Sequence, residues 1–184
     1  MKTPLSYLPL ASGLLVLVLS LAVAVLTVTS KKVSVSTKAV QETASLALNP
    51  ASGDYLFDLT TAYPVGIVLD SGGKNIDGLD AVINFDPAKA QVVDTKISPT
   101  TLFEEFPINL VDNKKGQIKF SALTFSAKPA TGIVGTFKFR PLAKGEINFT
   151  IYFIPGATTD SNIAEHGTAK DVLGGITNGR FVFR

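Results

Sequence analysis

Few residues in this chain of 184 could make or break bonds. There is one histidine, His166, and no cysteine. The lack of cysteine removes thiol nucleophiles, disulfides and thiolate metal sites. His166 lies in the polar run Asp160-Ser161-Asn162-Ile163-Ala164-Glu165-His166-Gly167. A general base needs an oriented partner and a nucleophile beside it, and the sequence identifies neither. We read His166 as an exposed loop residue. Glu104 and Glu105 are adjacent. Neighbours in an extended chain point opposite ways, so these two cannot form the facing carboxylate pair of a glycosidase. Asp86 precedes Pro87, where its carboxylate caps a turn. Two oxygen-rich loops remain: Asp70, Asn75 and Asp77 around Gly72-Gly73, and Asp160, Asn162 and Glu165. Calcium takes about six to eight oxygens, and neither loop has the alternating spacing of a known calcium loop. Turn formation accounts for both, and no catalytic residue, metal or cofactor is expected.

The surface chemistry is equally sparse. Lysine and arginine exceed aspartate and glutamate by only two, and no basic patch that would neutralise phosphates is visible, so nucleic acid is excluded. Direct sugar binding would need a flat aromatic platform. There is no tryptophan, and Tyr55, Tyr63 and Tyr152 are scattered along the chain.

The elements that position these residues fall into two zones. From Thr3 to Ser30 no residue is charged. Residues 8–28 are mostly Leu, Val and Ala; about twenty residues at ~1.5 Å each cross a ~30 Å hydrocarbon core. Ala22-Val23-Ala24 could serve as a signal-peptide cleavage site, but the apolar run continues past it through Val25, Leu26 and Val28. An uncleaved anchor is therefore the preferred expectation, and a secreted protein the alternative. The organisation is a short N-terminal segment (1–7), a transmembrane helix or signal anchor (8–28), a polar tether (29–43) and a folded domain (44–184).

Within the domain the period changes to two. Residues 63–70, 80–85, 90–97, 117–123, 132–140 and 145–153 alternate or run apolar between Gly, Pro and Asn turn signals. Past residue 28 no helical period is sustained. About eight or nine antiparallel strands in a single jelly-roll-like β-sandwich are expected. One parity of each strand makes the core: Ile67 and Leu69, Ala81, Ile83 and Phe85, Ile118 and Phe120, Phe137 and Phe139, Ile147, Phe149 and Ile151. Asp80, Val82 and Asn84 then point outward.

Three stretches in order carry a resemblance. Residues 76–87 (IDGLDAVINFDP) form a strand ending in aromatic-Asp-Pro, followed by Gln91-Val92-Val93. Residues 115–121 (KGQIKFS) follow Gly-x-Ile-x-Phe, and residues 132–140 (GIVGTFKFR) with 144–149 (KGEINF) form a paired motif. Together with residues 174–182 they resemble the cohesin family, the β-sandwich modules that hold dockerins in cellulosomes, over residues 44–184. The resemblance implies a non-catalytic module for protein–protein recognition, linked to polysaccharide breakdown and displayed outside the membrane. The lysine count flanking residues 8–28 favours a cytoplasmic domain by only about one charge, so the exported orientation is adopted. The resemblance also implies docking on a flat sheet face, with Asp80 among the contacts and Val82, Asn84 and Ser121 beside it. Ser121 stands where the family often shows a larger apolar contact. The alternatives are a carbohydrate-binding module on the same fold, and a surface assembly subunit that pairs by edge-strand addition.

Overall fold

The computed structural model describes residues 44–184. The expected membrane span and tether, residues 8–43, lie outside the described residues. Among those described, no helix is long and apolar enough to cross a membrane. The chain forms β1 (Ala44–Asn49), β2 (Ser52–Tyr55), β3 (Tyr63–Asp70), β4 (Ile76–Phe85), β5 (Ala90–Val92), β6 (Ser98–Pro99) and β7 (Asn109–Asp112). It continues with β8 (Gln117–Lys128), β9 (Thr131–Pro141), β10 (Gly145–Ile151), β11 (Asn162–Glu165), β12 (Leu173–Thr177) and β13 (Gly179–Phe183).

These strands make two sheets. One runs β12-β1-β3-β9-β5, with β6 also on β9. The other runs β2-β13-β10-β4-β8-β7, with β11 also on β4. The fold is all-β, as alternation predicts, but the described residues hold thirteen strands rather than eight or nine. The extra ones, such as SGDY, SP and NLVD, are two to four residues long and too short for a period to show. The pairing is not wholly antiparallel either, for β1–β12 and β2–β13 are parallel. Parallel neighbours need long connections. Here the connection is almost the whole domain, because each pair joins the beginning of the domain to its end.

The inward parity builds the core. Ile67, Leu69, Phe137 and Phe139 of one sheet and Ala81, Ile83, Ile118, Phe120, Ile147 and Phe149 of the other are all buried. Aromatic rings join the sheets: Phe149 lies 5.2 Å from Phe137 and 4.8 Å from Phe139, and Phe139 lies 5.0 Å from Phe181. Tyr55 and Tyr63 are not scattered in space. Their ring centroids are 4.5 Å apart, and both pack on Phe183 at one end of the core. Tyr55 stacks on Phe183 at 26°, so one of its faces is taken up by the core.

Two turns explain why the motif residues are what they are. Pro87 ends β4, and the Asp86 carboxylate accepts the Ala88 N–H (2.9 Å) while its carbonyl accepts those of Lys89 and Ala90. Asp86 is thus architecture, as its place before proline suggests. Gly116 opens β8 at φ 66°, and a Cβ there would lie 2.1 Å from the Phe85 carbonyl oxygen. Phe85 in turn donates its N–H to the Gly116 carbonyl (2.8 Å). Gly116→Ala is expected to cost about 2 kcal/mol or more, from the left-handed backbone and the clash together. A urea-denaturation midpoint equal to that of the parent would contradict this.

Candidate functional site

β4 lies inside its sheet, with β8 on one side and β10 and then β11 on the other. Its inward residues fill the core, so Asp80, Val82 and Asn84 face out. Asp80 is half-buried, is paired in register with Ser121 and accepts a short hydrogen bond from the Ser121 hydroxyl. Asn84 is half-buried too, and its Oδ1 accepts from the Gln117 amide (3.0 Å).

Val82 and Ser121 also point outward, yet they are only 9% and 5% exposed. The cause is the chain between β10 and β11. After Ile151 it leaves the ladder, and Tyr152 donates its N–H to the Val82 carbonyl (2.8 Å). Nine residues later the Ser161 hydroxyl accepts the Val82 N–H (2.9 Å) and donates to the same carbonyl (3.3 Å). This segment, with Thr158, Thr159 and Asp160, covers the middle of β4. On the other side, Ser121 donates its N–H to the Ile108 carbonyl (2.7 Å). The result is a pocket of about 180 Å³ lined by Asp80, Val82, Lys119, Ser121 and Asp160 among others. Asp160, which the sequence places in an oxygen-rich turn, is only 2% exposed.

The apolar part of this face is the part that sequence reasoning missed. Ile108, Leu110 of β7 and Leu123 of β8 are all exposed. Register places Leu110 beside Lys119 and Ile108 beside Ser121, so the three flank the covered pocket. Leu123 lies across Gly78, where an added Cβ would come within 2.6 Å of its Cδ2. Phe125, 77% exposed, projects from the irregularity between the pairs Gly78–Leu123 and Ile76–Lys128. The available signal was the parity shared by Lys119, Ser121 and Leu123. It is cut short if β8 is ended at Leu123, when the strand in fact continues to Lys128.

Glu104 and Glu105 edge this patch rather than facing each other. Both donate backbone N–H groups to the Leu123 carbonyl, and the Glu104 carboxylate accepts the Phe125 N–H (3.3 Å). Hydrogen bonding from the Thr124 side chain, helped by that N–H, holds the Glu104 carboxyl below its ordinary range.

The outer edge of β7 is lined by residues 92–97. The Asn109 side chain exchanges two hydrogen bonds with the Ile97 backbone (2.6 and 2.8 Å), and the Asn113 side chain exchanges two with Val92 (2.9 and 2.8 Å). These bonds satisfy backbone groups of Val92 and Ile97, and Val111 of β7 donates its own N–H to the Thr95 carbonyl (3.1 Å), so residues 92–97 lie along that edge and partly cover it.

His166 does have an oriented partner. Its Nδ1 lies 2.6 Å from Asp77 Oδ1, a pairing between residues 89 positions apart that no local pattern reveals. Beside it Lys74 and Glu165 form an ion pair at 3.5 Å, and His166 N–H bonds the Asn75 carbonyl (2.9 Å). The cluster ties the loop after β11 to the turn before β4. Both His166 and Asp77 are about half exposed, so the pair contributes little beyond that. Gly72 N–H bonds the Asp70 carboxylate (2.9 Å), an Asx turn. Among the described residues no three His, Cys, Asp or Glu side chains gather to hold a metal ion.

No family model matches the chain, and no curated protein matches it in sequence. Solved structures match its fold. CaCohA2 from Clostridium acetobutylicum is 18% identical over 78% of this chain and 92% of its own, with a TM-score of 0.59. The third cohesin ScaC of Acetivibrio cellulolyticus, solved in complex with the ScaB dockerin, is 17% identical over 76% and 98% of the two chains, at 0.60. A non-cellulosomal cohesin from the archaeon Archaeoglobus fulgidus is 13% identical over 77% and 91%, at 0.57. At such identities the likeness is one of fold, and the fold is that of the cohesin domains whose motifs the sequence resembles.

Proposed function

We propose that this domain is a docking module that binds a dockerin-type protein through the outer face of β4, β8 and β7, without catalysis. The observation that carries the reading is the row of exposed apolar side chains, Ile108, Leu110, Leu123 and Phe125, beside the half-buried polar residues Asp80 and Asn84. An apolar centre with polar neighbours is the usual composition of a recognition surface. The cohesin from A. cellulolyticus was solved in complex with a dockerin, and this chain shares its fold. Val82 and Ser121, covered by neighbouring segments, contribute to the floor of the face rather than to contact. The apolar segment 8–28 would hold the module at a membrane, with the domain outside the cell.

The test is capture from a panel of purified dockerins by the full chain, followed by titration. Binding is expected, and Asp80→Ala should weaken it about tenfold, the scale of one charge-assisted hydrogen bond. Failure to bind any dockerin, or tight binding untouched by changes at Asp80, Leu110 and Leu123, would remove the reading.

A further inference from the structure

We propose that the pocket between β4, β8 and residues 152–161 seats a cationic side chain of the partner, a lysine ammonium held between Asp80 and Asp160. The proposal rests on the docking reading above and names the chemistry that reading leaves open.

Asp160 lines this pocket and is 2% exposed. One carboxylate oxygen, Oδ2, accepts a short hydrogen bond from the Ile154 N–H. The other, Oδ1, has no hydrogen-bond partner among the described residues. Burying a carboxylate oxygen without a donor is costly, and nearly all buried polar atoms in folded proteins have a partner. The site is therefore one donor short. Asp80 lines the same pocket and has already drawn the Ser121 hydroxyl to itself. Thr158 and Thr159 add further oxygens to the lining. An ammonium carries three donors and no acceptor, which suits the two carboxylates and the hydroxyl oxygens of the lining.

Charge and shape narrow the cation. Two carboxylates against one lysine, Lys119, leave one negative charge to be met. A divalent ion would overshoot that charge, and it would lack a third acidic or histidine ligand among the described residues. A lysine side chain brings one charge on an apolar stem, and Val82 and Ile108 supply apolar wall for that stem. The pocket opens on the same face as Leu110 and Leu123, so a residue inserted there belongs to whatever docks across them.

The test needs no dockerin. The full chain, 15N-labelled in a neutral detergent, is titrated with n-butylammonium chloride and, separately, with calcium chloride, and amide shifts are followed by NMR. Saturable shifts confined to Ser121 and residues 158–161 are expected with butylammonium. Asp160→Asn should weaken them about tenfold or more, as should Asp80→Asn. Asparagine keeps an acceptor for the Ile154 N–H, and the dispersion of the spectrum reports whether the fold survives. Tetramethylammonium, which has no N–H donor, should leave these amides in place. Diffuse shifts, or shifts indifferent to both variants, would overturn the proposal. So would saturation of the same amides by calcium at lower concentration, which would make this a divalent-cation site. Localised butylammonium binding in a chain that captures no dockerin would sink the docking reading and leave the cation preference standing. Capture without it would sink the lysine seat alone.

Discussion

Phe149→Ala is expected to lower the stability of the domain by about 4 kcal/mol, the middle of the range for removing a buried aromatic side chain. Phe149 is fully buried, and its ring lies 5.3 Å from Phe85, 5.2 Å from Phe137, 4.8 Å from Phe139 and 6.2 Å from Phe181. Two of those rings belong to the opposite sheet, so the change removes contacts that hold the sandwich together. The neighbours sit on paired strands and cannot collapse into the space without breaking register, so most of the cavity would remain. Against a typical stability of about 5–15 kcal/mol this is a large loss. Phe149→Leu, which keeps much of the volume, should cost about half as much. Urea denaturation of both variants measures the difference. A loss under about 1 kcal/mol for the alanine variant would mean that Phe149 is not the centre of the core.

The core was legible in the sequence because its signal is local and repeated. Strands β3, β4, β8, β9 and β10 carry several inward apolar residues at alternate positions, and one face of each had to be buried. The Asp-Pro corner and Gly116 were legible for the same reason, since proline and glycine act on their immediate neighbours. What stayed hidden depends on segments far apart in sequence. The covering of Val82 depends on a serine 79 positions away, and the exposure of Phe125 on an irregularity opposite Gly78. The segment along the edge of β7 is tied there by two asparagines whose partners lie 12 and 21 positions off. Outward parity is visible in one strand, but access is decided by what other segments lay across it. That is why the orientation of Asp80, Val82 and Asn84 follows from alternation, while the apolar row Ile108, Leu110 and Leu123 does not.

The access pattern leads to the second large effect. Leu110→Asp combined with Leu123→Asp is expected to weaken dockerin binding about a thousandfold, with the fold intact. Both leucines are exposed, 54% and 42%, so the change removes little core and should shift stability by about 0.5 kcal/mol or less. In a complex the same side chains would be covered, and each apolar centre of an interface is worth about 2 kcal/mol when lost. Two such losses, about 4 kcal/mol, correspond to roughly three decades of affinity. Aspartate adds a desolvation cost that alanine would not, and it places negative charge near Asp80. Phe125→Ala separates the apolar row from its most prominent member and should cost about 2 kcal/mol by itself. Isothermal titration and thermal melts of the same preparations give both numbers. Undiminished binding by the double variant would move the contact surface away from β7 and β8. A large fall in melting temperature would instead show that these leucines support the fold. The expected combination, binding lost and melting unchanged, has one physical source: apolar side chains that the isolated domain exposes and a partner would cover.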